Sequence, residues 1–195
     1  MSAAFLAGVV AGYGVAMPVG AIGVLIAGLS ARTSLRVGAA AGLGAATADG
    51  VYALLAVLGG AAIAGLIAPI AEPLRWVAAG VLLLLAVSTA WRAFRTPAER
   101  RERPVSAGRA YTGILGLTLL NPATVVYFAA LVLGRGGEGG GVWFVVGAFV
   151  ASASWQLLLA GGGSVVGRLL TGERGRLVTA LVSSAVITVL AIRLL

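Results

Sequence analysis

The chain has 195 residues, 60% of them hydrophobic and only 10% charged, with a mean hydropathy of +1.06. Soluble domains are roughly 45–50% apolar and about 25% charged, so the composition places the chain in a bilayer and excludes a soluble domain. Its formal net charge is +8 with no His and no Cys. That removes disulfides, thiolate and imidazole metal sites and histidine proton relays.

Apolar runs of the length that spans a bilayer, about 20 residues each, use nearly the whole chain. Six spans are predicted, at 3–29, 37–66, 73–94, 110–133, 142–168 and 177–194, forming one all-α integral membrane domain over 1–195. The N-terminal apolar block has no basic residue before it and exceeds a signal-peptide core, so it is expected to stay as a span. Within it, Met17-Pro-Val-Gly20 interrupts the helix, because Pro18 cannot donate to the Gly14 carbonyl and Gly20 lets backbones approach closely. Two readings stand for these residues, a packing kink and a substrate-lining break.

In the second span, Gly38, Gly42, Ala46 and Gly50 recur every four residues, a stripe that suits close helix packing. Beside it lies Asp49, the one acidic residue inside a long apolar stretch. A carboxylate at membrane depth costs several kcal/mol unless it faces a cavity, a partner or a passing ion, so it reads as functional by default. Its roles would be counter-charge for a cationic substrate group or acceptor of a coupling proton. The structural alternative is a buried partner such as Gln156, Asn121 or a tyrosine hydroxyl. Tyr52, one turn on, is placed to face the same cavity.

Pro69 and Pro73 punctuate the next gap, and the stretch 95–109 after the third span is the most basic part of the chain. In the fourth span, Asn121-Pro122 can start a helix inside the membrane. Asn is a favoured N-cap, Pro suits the first helical position, and the residue before Pro leaves the α region. Free backbone N–H groups at such a start attract a carboxylate when the break lines a cavity; a kink satisfied by a neighbouring helix is the alternative. Tyr127, five residues past Pro122, is placed to face the cavity, whereas Tyr111 and Trp143 suit the interfacial belt. Ser152, Ser154 and Gln156 make the fifth span the most polar helix of the second half, with Gln156 a candidate substrate contact. Prolines deep in the first and fourth spans suggest two inverted three-helix repeats, an arrangement that puts broken helices around a mid-membrane site.

All the basic residues are arginines lying between apolar runs, which makes them orienting charges and removes nucleic acid as a partner. Arg32, Arg36, Arg92, Arg95, Arg100, Arg101, Arg103, Arg109, Arg168, Arg174 and Arg176 fall on one side; only Arg75, Arg135 and Arg193 fall on the other. The first set should be cytoplasmic and both termini outside.

Met17-Pro-Val-Gly-Ala-Ile-Gly23, Ala41-Gly-Leu-Gly-Ala-Ala-Thr-Ala-Asp49, Leu117-Thr-Leu-Leu-Asn-Pro-Ala-Thr-Val-Val-Tyr-Phe-Ala-Ala130 and Gly147-Ala-Phe-Val-Ala-Ser-Ala-Ser-Trp155 together resemble the LysE/RhtB family of amino-acid exporters. The resemblance implies a bacterial inner-membrane protein of six spans that exports lysine, arginine, threonine or homoserine. It puts Pro18 and Gly20 on the family's first-span motif, Asp49 on its second-span acidic position, and Asn121 and Pro122 on its Asn-Pro. Many members continue the first motif with a second proline, and the lysine and arginine exporters then add Gln-Asn. Here Ala21, Ile22 and Gly23 stand instead, so a basic substrate does not follow from membership.

The function expected is secondary-active export of amino acids, with no cofactor, no enzymatic activity and no resident metal. A proton or other ion would couple transport, because the sequence has no phosphate-binding Gly-Lys-Ser/Thr loop. The alternatives are an exporter of inorganic cations on the same fold and a non-transporting membrane assembly subunit. The small-residue stripes also permit a homodimer. For the orientation, alkaline phosphatase fused to the C-terminus should be active and a matching GFP fusion dark; the opposite pair of results would overturn it.

Overall fold

The computed structural model describes residues 2–17, 20–94, 105–121, 124, 141–169 and 173–194. Among them every regular element is helical: α1 (Ser2–Ala16), α2 (Ala21–Arg32), α3 (Leu35–Ile67), a short 3-10 turn (Ala68–Ile70), α4 (Ala71–Phe94), α5 (Ala107–Leu119), α6 (Gly141–Leu169) and α7 (Glu173–Leu194).

Among the described residues two stretches, Leu35–Gly59 of α3 and Gly141–Arg168 of α6, are long and apolar enough to cross a membrane, and α1 with α2 makes a third if the bent pair is one span. The pair bends by 79°. The break follows Met17, and α2 restarts after Gly20, whose backbone is extended. Pro18 lies outside the described residues. At its full 33 residues α3 would run about 50 Å, well beyond a bilayer core, but Gly59 leaves helical geometry and divides it.

Polar caps set the helix ends. Thr33 closes α2 by donating from both its amide and its hydroxyl to the Leu29 carbonyl, and Arg32 complements the end of the helix dipole. Directly after it, the Ser34 hydroxyl accepts from the Val37 amide to open α3. Ser106 does the same for α5, accepting from the Arg109 amide at 3.3 Å. Gly141, at the start of α6, has a φ of +59°, a conformation that favours glycine.

Helix α6 is the spine, packed against α1, α2 and α3. The contacts are made by glycines so close that a Cβ would strike backbone. At Gly8 it would meet the Phe144 carbonyl, at Gly147 that of Phe5, and at Gly163 and Gly167 those of Ala27 and Ala31. Along these contacts α1 and α2 run in the same direction as α6. Helix α3 runs against it, since Gly42 faces Gln156 and Gly50 faces Phe149, and parallel to α5, since Gly44 faces Tyr111 and Tyr52 reaches Leu119. The stripe read in α3 is thus a packing seam, with Gly38 against Ser30 of α2 and Gly42 and Gly50 against α6.

Buried apolar residues form two clusters. One joins α2, α4, α5 and α7 to Ala41 and Ala45 of α3 and Ala160 of α6; the other joins Ala11, Tyr52, Ala53, Ala56, Phe144 and Ala148. On both α3 and α6 a short interval separates them. Gly163→Ala, which drives a methyl into the Ala27 backbone, should cost about 1–3 kcal/mol of stability. Gly161→Ala, with open space around the new methyl, should be neutral or slightly stabilising. Melting of the two purified proteins in detergent would show the difference, and equal melting would refute the seam.

Candidate functional site

The interval between the two apolar clusters holds Asp49 on α3 and Ser152 and Gln156 on α6; the antiparallel packing sets Ser152 against Asp49 and the stem of Gln156 against Gly42, two turns earlier in α3. By helix rise, Asp49 lies about 21 Å from the start of the Leu35–Gly59 stretch and about 15 Å from its end, well inside it. Asp49 is 3% exposed and Ser152 fully buried. The Ser152 hydroxyl donates to Asp49 Oδ2 at 2.6 Å. Among the described residues the partner of Asp49 is therefore Ser152. Serine among alanines in a helix gives no sequence signal of its own; only the density of polar residues at 152–156 pointed here.

Gln156 is buried one turn from Ser152, and its Oε1 has no hydrogen-bond partner. The neighbouring Trp155 Nε1 is likewise buried and unpaired. An unsatisfied buried polar group costs about 1–3 kcal/mol, so this part of α6 is rich in hydrogen-bonding capacity that the fold itself does not use.

Tyr52 lies one turn beyond Asp49 and is buried, but its hydroxyl donates to the Leu119 carbonyl at the end of α5. This carbonyl is one of those the helix leaves free by ending. At that end the Asn121 amide donates to Thr118 and the Asn121 carbonyl accepts from Thr124, so Asn121 stands just outside α5. Pro122 and Tyr127 lie outside the described residues. Tyr111 turns inward, its hydroxyl donating to Thr47 of α3 at 3.0 Å, and so ties α5 to α3 beside the Asp49 level instead of standing only at the interface. Tyr13 of α1 shares a 2.8 Å hydrogen bond with Ser154 of α6. Gly20 caps α2 without a side-chain bond, leaving the first amides of that helix to other partners.

The Asp49–Ser152 bond predicts a measurable coupling. Ser152→Ala should destabilise the protein by about 1.5–3 kcal/mol, and the same change in an Asp49→Asn background should cost clearly less. Additive losses in the double-variant cycle would dissociate the two residues.

The model of a family described as LysE type translocator matches residues 14–195. No curated protein and no solved structure matches the chain.

Proposed function

The chain belongs to the LysE type translocator family, and from that premise we propose that it is a secondary-active exporter of amino acids across the bacterial inner membrane. The observation that carries this reading is Asp49, a buried acid held near the middle of α3 by a neighbouring helix and bounded on both sides by apolar packing. A carboxylate kept in such a place has little structural value, because an apolar residue would pack there without the cost of desolvation. In this reading Asp49 binds the substrate amine or a coupling proton.

The transport cycle proposed is alternating access about that level. Six spans in two inverted halves would rock against each other, with both termini outside and the basic stretch 95–109 in the cytoplasm. Helix directions support the alternation. The bent pair α1 and α2 runs with α6, and α3 runs with α5 and against α6, as the first, fifth, second and fourth of six consecutive spans would. The restart of α2 after Gly20 and the backbone beyond Asn121 would offer free N–H groups to the substrate carboxylate, with Pro18 and Pro122 as the residues that set the breaks. Tyr52 and Tyr127 complete the proposed lining. The proposed substrates are lysine-, arginine-, threonine- or homoserine-like amino acids.

Counterflow in proteoliposomes tests the reading, with a panel of labelled amino acids and with divalent metals alongside. Saturable exchange of an amino acid is expected, and Asp49→Asn should lower it at least tenfold while the protein still inserts and purifies. Uptake of a metal with no amino-acid exchange would move the assignment to inorganic cations, and full activity of the Asn variant would remove Asp49 from the site.

A further inference from the structure

Two buried polar atoms near Asp49 in sequence-adjacent positions of α6 have no partner, the Gln156 Oε1 acceptor and the Trp155 Nε1 donor. Asp49 Oδ2 is taken by Ser152. Gln156 is 6% exposed, and its Oε1 has no partner. The stem of Gln156 lies in the α3–α6 seam, its Cβ 3.1 Å from where a Cβ of Gly42 would stand. A side chain at Gly42 would therefore displace it. Ser152, which holds Asp49, and Gln156 are one turn apart on α6, so both side chains lie along the one α3–α6 seam.

A ligand that completes this arrangement must bring positive charge and at least two hydrogen-bond donors. An anion is repelled by the carboxylate. A divalent metal ion needs six or more oxygen ligands, and one carboxylate with one amide oxygen falls well short. A primary ammonium has three N–H donors on one atom, and two N–H···O bonds of about 2.9 Å bridge acceptors about 5 Å apart.

We propose that Asp49 and Gln156 together form a receptor for a primary ammonium group, with Asp49 supplying the counter-charge and one acceptor and Gln156 Oε1 the second. The inference rests on the amino-acid reading above and deepens it: the site distinguishes amines by their number of N–H donors as well as by charge. Gln156 is then a specificity-determining residue, and Ser152 a positioning residue that leaves one carboxylate oxygen facing the ligand. Substrates with a free α-amine fit, and the same molecules bearing a dimethylated or trimethylated nitrogen do not, although their charge is unchanged.

Two measurements on the purified full-length protein test this. In the first, thermal stability in detergent is followed while n-propylammonium, N,N-dimethylpropylammonium and N,N,N-trimethylpropylammonium chlorides are titrated at constant ionic strength. The primary amine should stabilise the protein at concentrations about tenfold to a hundredfold below those the trimethyl compound needs. Gln156→Met, which keeps length and volume, should largely abolish that preference, whereas Gln156→Glu, which keeps the acceptor, should retain it. Equal stabilisation by all three amines in the unmodified protein, or an unchanged preference in Gln156→Met, overturns the proposal. The second measurement is counterflow of the labelled amino acid against its N,N-dimethyl derivative. Absence of exchange with any amino acid while the amine preference stands overturns the amino-acid reading alone. Exchange that is equal for the two forms overturns the receptor.

Discussion

Everything in this protein depends on how closely α6 approaches its neighbours. Helices in a bilayer gain nothing from hiding apolar surface, because lipid is as apolar as leucine, so they hold together by packing and by the few polar bonds that close approach allows. Here glycines on α1, on α6 and on α3 remove the side chains that would keep the backbones apart. The short Ser152–Asp49 bond is a product of that packing. So is the Ser30 hydroxyl bond to the Ala160 carbonyl, 2.6 Å long and one turn beyond Gln156. The polar chemistry is therefore placed by residues that have no chemistry of their own.

Much of this was legible in the sequence, and the reason is specific to membranes. A lone acid in an apolar run is a statement about energy that needs no tertiary information, so Asp49 could be singled out at once. Proline and glycine act on their own backbone, and the break between α1 and α2 accordingly falls after Met17 and before Ala21. The four-residue stripe of α3 is equally local, being one face of one helix.

What the sequence hid is partnership. Asp49 had three plausible partners by residue type, and the one used is a serine that differs from its alanine neighbours by a single oxygen. Which residue of α6 meets which residue of α3 is set by helix direction and vertical register, and both come from contacts more than a hundred residues apart in sequence. Tyr52 shows the same limit. Its distance from Asp49 along α3 was readable, but the helix end that its hydroxyl seeks was not.

The Tyr52 bond to Leu119 bears on how the bundle can deform. A backbone carbonyl left by a helix end must find a donor, and at this depth the donor supplied is a phenol from the helix that carries the acid. A slide of α5 along α3 by an ångström or so takes that pair out of hydrogen-bonding range, and the carbonyl must then be wetted. The end of α5 is therefore tied to α3, the helix that carries the acid, through its own main chain as well as by packing against it.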